Sequence, residues 1–258
     1  MGDAPAHITY IGHATCLIEM AGEALLTDPH FGTRVLWARR CKSLTVDPAM
    51  LPPITAVLLT HTHYDHLDIS AFKYFPRDVP MIVPTGTAAA LHPFIQNPVL
   101  EVAHWISHPL TATLTITPVP VRHYGGRLIP GWRFRGVNGY RIQWGSHALY
   151  YAADSSYGTH FAEVGHLGPV ALALLPLGGF LPRWASPARP INAEEWLRAM
   201  SDLQAAHAVP IHWGTFHGLG GSRREIQRLA RLSSQRNLQH RLHIVEPGEG
   251  LDVPFMTA

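Results

Sequence analysis

Short apolar runs, separated by polar and glycine-rich stretches, recur along the chain and predict many short β-strands. The run Ala56–Thr60 is apolar almost throughout, which is typical of a strand buried on both faces. Leu110–Val119 alternates threonine with apolar residues, which predicts a strand with one solvated face. The other predicted strands are His7–Ile11, Cys16–Met20, Ala24–Thr27, Pro80–Val83, Val137–Trp144, Ala148–Ala152, Val170–Leu175, Ala208–Ile211 and His240–Val245.

Helical segments follow the strands in each half of the chain. Asn192, with Glu195 three residues later, forms a capping-box pattern, which predicts a helix that begins at Asn192 and ends at Ser201. The other predicted helices are Asp68–Tyr74, Thr85–His92, Thr159–Val164 and Ser222–Gln235, and Asp68 and Thr85 are the N-cap candidates of the first two. Because strands precede helices twice, we predict an α/β fold, a four-layer αββα sandwich built from two similar halves. No linker interrupts residues 1–258, which favours one domain.

Composition narrows the possible partners and compartments. The net charge is +2 with histidine neutral, so no electrostatic footprint for nucleic acid is present. No leader pattern and no apolar run of about 20 residues occurs, and the two cysteines have no metal-site spacing. These features predict a cytoplasmic protein with at most peripheral membrane contact. Histidine is unusually frequent, since its 18 copies equal the combined number of Asp and Glu.

The segment HTHYDH, residues 61–66, directly follows the buried strand that ends at Thr60. His61 and His63 would project to the same side of an extended chain, and Asp65 and His66 follow where the loop must turn. Neutral imidazole and carboxylate are good ligands for zinc. The loop therefore predicts a metal site, and a histidine-rich surface loop that binds nothing is the alternative.

One loop cannot complete such a site, so further ligands are expected at other strand ends. His123, Asp154 and His212 each follow an apolar run. Any one of them alone would be an ordinary polar strand end. Together with the loop they give five histidines and two aspartates, which suffice for two metals if one carboxylate bridges.

These motifs resemble the metallo-β-lactamase superfamily of binuclear hydrolases over about residues 8–217. Within it, the resemblance is to the branch of N-acylphosphatidylethanolamine-hydrolysing phospholipase D, and the wider group includes L-ascorbate-6-phosphate lactonase-like proteins. The stretches that carry it are ITYIGHATCLIEMAGEALLTDPHFG, LPPITAVLLTHTHYDHLD, LLPLGGFLPRW and PIHWGTF.

The resemblance implies a role for each candidate ligand. His61, His63 and His123 would hold one metal; Asp65, His66 and His212 would hold the other, with Asp154 bridging the two and Asp28 supporting the metal loop from behind. The cofactors would be two divalent metal ions, zinc foremost, with manganese or iron as alternatives. The chain departs from the branch at ADSSYG, which retains Asp154 and Tyr157 but changes the local loop.

The reaction that the resemblance implies is hydrolysis of a phosphodiester, either small or lipid, by a water that the metals activate. Asp65 would be the proton acceptor and donor, or a ligand only. A lactonase or carboxylic-ester hydrolase with the same metals is the alternative, and a metal-binding protein without activity is the third possibility. The redox branch of the fold is disfavoured, since it has Glu where His63 stands.

Substrate contacts are predicted at His13, in the GHAT motif, and at Tyr157, with a structural role as the alternative for each. The basic stretch Val35–Ser43 could hold an anionic headgroup, lie on a membrane, or be a solvated loop. Gly178–Gly179 and Pro182-Arg183-Trp184 are expected to form a loop at the mouth of the site. Four histidines outside any motif are expected at the surface: His92, His104, His240 and His243.

Overall fold

Two β-sheets of mixed strand direction face each other in the computed structural model, which describes residues 6–127, 136–179 and 190–253. With strands numbered along the chain, the first sheet runs from edge to edge as β15 (Glu249–Val253), β1 (Ala6–Gly12), β2 (Thr15–Met20), β3 (Glu23–Thr27), β6 (Ala56–Leu58), β7 (Met81–Pro84) and β8 (Val99–Val102). Strands from β15 to β3 pair antiparallel, and those from β3 to β8 pair parallel.

The second sheet repeats this mixture of parallel and antiparallel pairs. Its order is β14 (Ala205–Ile211), β13 (Val170–Pro176), β12 (His147–Tyr151), β11 (Gly139–Trp144), β10 (Leu114–Val119) and β9 (His108–Pro109). The pairs β14–β13 and β13–β12 are parallel, and the remaining pairs are antiparallel. A separate two-stranded hairpin consists of β4 (Arg34–Val35) and β5 (Ala38–Arg39).

Helices cover the outer faces of the two sheets. The α-helices are α1 (Ala88–Leu91), α2 (His160–Gly165), α3 (Ala193–Asp202) and α4 (Arg223–Gln235), and two 3₁₀ helices span Pro48–Met50 and Ile69–Tyr74. None of the helices in the described ranges has the length and apolar character needed to cross a bilayer.

Strand β6 shows why the sequence predicts buried layers. Ala56 and Leu58 pack into the large apolar cluster shared by both sheets, whereas Val57 packs into a second cluster beneath the 3₁₀ helix Ile69–Tyr74 and α1. Because side chains alternate along a strand, β6 is apolar throughout only if both of its faces are buried. The predicted α/β sandwich is therefore confirmed.

Most of the predicted elements are present, with bounds shifted by a few residues. Asp68 caps its short helix by accepting from the Ser70 amide at 2.9 Å, although that helix is 3₁₀. Asn192 and Glu195 make the full capping box at the start of α3. The assignment of residues 1–258 to one domain stays a prediction.

Two elements were predicted wrongly. Thr85 caps no helix, because β7 extends to Pro84, Gly86 turns the chain at φ +83°, and α1 begins only after Thr87. The segment His240–Val245 is not a strand and pairs only through an isolated bridge between Leu242 and Ala208.

The last strand lies further along the chain because a turn redirects the backbone. Pro247 and Gly248 form that turn, Gly248 adopts φ +96°, and its amide donates to the Tyr10 carbonyl at 2.6 Å. The chain thus leaves the second sheet and joins the first as β15, antiparallel to β1. The strands β4, β5, β8, β9 and β15 were not predicted.

Replacing Asn192 by alanine should destabilise the protein by about 1 kcal/mol, because two amide protons of the first turn of α3 lose their acceptor. Urea unfolding followed by circular dichroism measures this change. The control is Gln235→Ala at the exposed end of α4, which should stay within about 0.5 kcal/mol of wild type. Equal stabilities of the two variants would contradict the capping role.

Candidate metal centre

All seven predicted ligands lie just beyond strand ends at one edge of the sandwich. The loop 61–66 follows β6, Asp154 follows β12, and His212 follows β14. His123 comes four residues after β10 ends. Parallel strands bring their carboxyl ends to the same edge of a sheet, so residues far apart in sequence meet here.

Three imidazoles form the first group. Nδ1 of His63 lies 2.9 Å from Nε2 of His61 and 3.2 Å from Nε2 of His123. A neutral imidazole has only one N–H, so three ring nitrogens that face one another cannot all be paired by protons. A cation that accepts three nitrogen lone pairs fits this arrangement.

The protonation of these rings also favours a metal. Burial lowers the pKa of His61 and His63 and lowers that of His123 to about 4. Neighbouring histidines lower the pKa of His61 further. The three rings are therefore neutral at pH 7, which is the form that binds a metal.

The second group contains Asp65, His66 and His212, all buried. Oδ2 of Asp65 lies 3.8 Å from Nε2 of His66 and 3.6 Å from Nε2 of His212. Neither of these Nε2 atoms makes a hydrogen bond of good geometry, although both are buried. An unsatisfied buried nitrogen is costly, and a metal ion between these atoms would remove that cost.

Asp154 lies between the two groups. Its Oδ2 is 3.7 Å from Nε2 of His123 and 3.5 Å from Nε2 of His66, and its Oδ1 is 3.0 Å from Nε2 of His212. Burial alone would raise the pKa of this carboxyl, but His212, His66 and His123 hold it well below its usual value. An ionised carboxylate at this position is what a bridging ligand requires; the bridging role itself stays a prediction.

Asp28 holds the ring of His66 from behind. Its Oδ2 accepts from Nδ1 of His66 at 2.7 Å, from the Thr60 hydroxyl at 2.6 Å and from the Tyr151 hydroxyl at 2.8 Å, and its Oδ1 accepts from the Thr60 amide at 2.8 Å. Nε2 of His66 is thereby left to face Asp65 and Asp154. Orienting an imidazole in this way is a common function of carboxylates beside metal ligands.

His13 lies against the second ligand group, and its predicted substrate contact stays a prediction. It is fully buried, its Nε2 lies 2.9 Å from Oδ2 of Asp65, and its ring centroid is 3.8 Å from that of His212. Burial, followed by the charge of His212, lowers its pKa to about 3. His13 thus contacts two candidate ligands from within the protein.

Tyr157 contacts two neighbouring helices. Its hydroxyl donates to Asp202 at the end of α3, its ring stacks on Phe161, and the Arg198 guanidinium lies 4.8 Å from the ring centroid. The side chain is therefore held by α2 and α3, and its predicted substrate contact stays a prediction.

Arg127 holds the metal loop and was not predicted. It donates to the Thr62 carbonyl at 2.7 Å and to the Leu67 carbonyl at 2.6 Å, and its guanidinium lies 4.1 Å from the centroid of Tyr64. It therefore fixes both ends of the loop. The only sequence signal was its position four residues after His123.

The predicted mouth loop lies mostly outside the described residues, which exclude Pro182, Arg183 and Trp184. In the described part of this segment, Gly178 forms an isolated antiparallel β-bridge with Ile191. Of the four histidines expected at the surface, His92, His104 and His240 are exposed, whereas His243 is half-buried with Nε2 3.0 Å from Nδ1 of His207.

Comparisons with known proteins identify one family and several relatives that this chain resembles. The family described as Beta-lactamase superfamily domain matches residues 23–213. An uncharacterised protein of Mycobacterium tuberculosis is 33% identical over 229 residues, which are 81% of this chain and 59% of that protein. N-acyl-phosphatidylethanolamine-hydrolyzing phospholipase D 1 of Caenorhabditis elegans is 28% identical over 226 residues, 81% of this chain and 64% of that protein.

The chain thus spans about three fifths of the length of these two relatives. A metal-dependent hydrolase of Rubrobacter xylanophilus matches more completely, with 27% identity over 95% of both chains. Among solved structures, the metallo hydrolase Igni18 of Ignicoccus hospitalis has a TM-score of 0.78 at 20% identity and covers 97% of this chain and 99% of its own. That likeness concerns the fold.

Asp28→Asn should weaken zinc binding about 10- to 100-fold, because the neutral amide cannot replace the charged acceptor that orients His66. Competition titration of zinc against a chromophoric chelator measures this change. Asp47→Asn, at an exposed carboxylate, is the matched control and should bind zinc like wild type. Unchanged zinc affinity in Asp28→Asn would contradict the supporting role.

Proposed function

The chain belongs to the beta-lactamase superfamily, and we propose that it is a metal-dependent hydrolase that uses two divalent metal ions to cleave phosphodiesters. The main support is the position of Asp154, within 3.0–3.7 Å of imidazole nitrogens from both ligand groups. A single metal would not need a carboxylate placed between two separate sets of donors.

The donor set favours zinc, with manganese and iron as alternatives. Five imidazoles and two carboxylates form it, with no cysteine. Such N/O sites bind several first-row metals, so availability in the cell contributes to occupancy. When bound, two such ions lower the pKa of a shared water and neutralise charge on the phosphoryl oxygens.

Asp65 is the proposed proton acceptor and donor as well as a ligand. Burial alone would raise the pKa of its carboxyl, but His66, His13 and His212 hold it well below the usual value. The carboxylate is therefore ionised, as a metal ligand must be, and the proton-acceptor role rests on its place among the candidate ligands and not on its pKa. His13, 2.9 Å from Oδ2, restricts the carboxylate to one orientation, so we assign His13 to positioning Asp65.

The choice of a phosphodiester rests on the relatives. The C. elegans protein and a mitochondrial protein of Saccharomyces cerevisiae, 29% identical over 225 residues, are both N-acyl-phosphatidylethanolamine-hydrolyzing phospholipases D. Their similarity covers 81% and 82% of this chain. We propose that the substrate is a lipid phosphodiester or a smaller diester, and that the protein contacts membranes only peripherally and does not bind nucleic acid.

Asp154→Ala should remove the shared ligand and reduce bound metal from close to two ions per chain to well under one. Elemental analysis after gentle purification and zinc loading measures the content. The matched control, Asp78→Ala, changes an exposed carboxylate and should keep wild-type content. Wild-type protein that takes up no metal would contradict the proposal for the whole site, and two retained ions in Asp154→Ala would contradict the bridge.

The substrate class is tested by comparing kcat/KM for N-acylphosphatidylethanolamine in mixed micelles, bis(p-nitrophenyl) phosphate and an acyl-homoserine lactone. We expect a diester to be preferred at least about tenfold, which corresponds to about 1.4 kcal/mol of transition-state stabilisation. Asp154→Ala, purified identically, shows whether a contaminant contributes. A tenfold preference for the lactone would contradict the phosphodiesterase and favour the lactonase.

A further inference from the structure

The turn of the hairpin β4–β5 has residues that are unusual in a two-residue hairpin turn. Val35 pairs with Ala38, so Leu36 and Trp37 form a two-residue turn, with Leu36 in the left-handed region at φ +50°. Two-residue turns with a positive φ at the first central residue favour glycine there, because a side chain is strained in that conformation. Leu36 is 54% exposed and Trp37 is 68% exposed. The strained turn thus carries two large apolar side chains, each more than half exposed.

Positive charge surrounds this apolar tip. Arg34 and Arg39 are directly opposite each other on the hairpin, and both are exposed. Like charges in this arrangement are destabilising unless an anion lies nearby. The sequence between Asp28 and Asp47 contains four basic residues and no acidic residue. Of the four, Lys42 lies 3.8 Å from Glu246, and Arg40 donates to the carbonyls of His30 and Gly32. The arginine pair is therefore the main positive feature of the hairpin.

The hairpin is firmly joined to the metal centre. Its inner face, Val35 and Ala38, packs on Phe216 and Leu219, which follow His212 in the chain. The amide of His217 donates to the Arg39 carbonyl at 2.8 Å. The ring centroid of Phe216 lies 5.3 Å from that of His13, the residue that contacts Asp65.

We propose that residues 34–39 dock on an anionic lipid bilayer, with Leu36 and Trp37 in the interface and Arg34 and Arg39 on headgroup phosphates. Tryptophan suits this depth because its ring is apolar at one end and its N–H is polar, and arginine pairs with phosphate in two-pronged geometry. Leucine in the interface contributes apolar burial, and basic residues add attraction to anionic lipid. Such docking would serve a lipid substrate and in that respect rests on the proposed function.

The sharpest test replaces the turn by Gly-Asn, in the double variant Leu36→Gly with Trp37→Asn, because only position 36 has a positive φ. These residues suit the two-residue turn, so the hairpin should be retained while the apolar tip is lost. Co-sedimentation with vesicles of equal parts phosphatidylcholine and phosphatidylglycerol should show wild type bound and the variant at least about tenfold weaker. Ile106→Asn, at an apolar side chain also 54% exposed, is the control and should bind like wild type.

A second variant tests the charge separately. Arg34→Gln with Arg39→Gln should weaken binding about fivefold per residue, and high salt should abolish most of the difference from wild type. Wild type should prefer these vesicles over pure phosphatidylcholine. Arg224→Gln with Arg231→Gln, at exposed positions of α4, is the control with the same change in net charge.

The docking surface is overturned if wild type does not bind anionic vesicles, or if both hairpin variants bind them like wild type while their melting temperatures show that they are folded. It is also overturned if light scattering shows a wild-type dimer that the Gly-Asn variant loses, because the tip would then contact a second copy. Binding is measured without turnover, so vesicle binding without diester cleavage would contradict only the proposed function. Diester cleavage without vesicle binding would contradict only the docking surface.

Discussion

The buried carboxylate of Asp28 joins the two sheets where the candidate ligands converge. It follows β3 of the first sheet, accepts from Thr60 beyond β6, and accepts from Tyr151 at the end of β12 in the second sheet. A buried charge is strongly unfavourable unless it is fully hydrogen-bonded. The donors that satisfy Asp28 therefore restrict how the sheets can be placed, and the orientation of His66 follows from that placement.

A second connection between the sheets runs through His13 and His212. The His212 amide donates to the His13 carbonyl at 2.7 Å, and the His13 amide donates to the Thr215 hydroxyl at 2.6 Å. Both histidines have left-handed backbones, at φ +58° and +63°. Gly220 permits this geometry, since a Cβ there would lie 2.1 Å from the His212 carbonyl oxygen. A candidate ligand thus lies on a backbone that only close packing can maintain.

The electrostatics of the centre, like its geometry, favour a bound cation. Three carboxylates surround His66: those of Asp28 and Asp65 are buried, and that of Asp154 is partly buried. Burial alone would lower the pKa of His66, yet these carboxylates raise it well above its usual value. The surrounding charge therefore favours a cation at this position. Divalent metals held by the two ligand groups would match that preference. They would also give the unpaired Nε2 atoms of His66 and His212 a partner.

The sequence alone determined the layers of the fold and the identity of the candidate ligands. Both are local signals, because side-chain periodicity reports burial, and a histidine or aspartate at the end of an apolar run is visible in the sequence. Family resemblance supplied the pairing of ligands into two groups and the supporting place of Asp28, with which the distances agree.

Only the tertiary structure decided which side chains meet. His13 and Asp65 are 52 residues apart, and Arg127 reaches Thr62 across 65 residues. Tyr157 faces α3, and the chain after Gly248 joins the first sheet where the sequence predicted an earlier strand. Such contacts depend on strand register and on how two sheets are packed, and a local pattern carries no information about either.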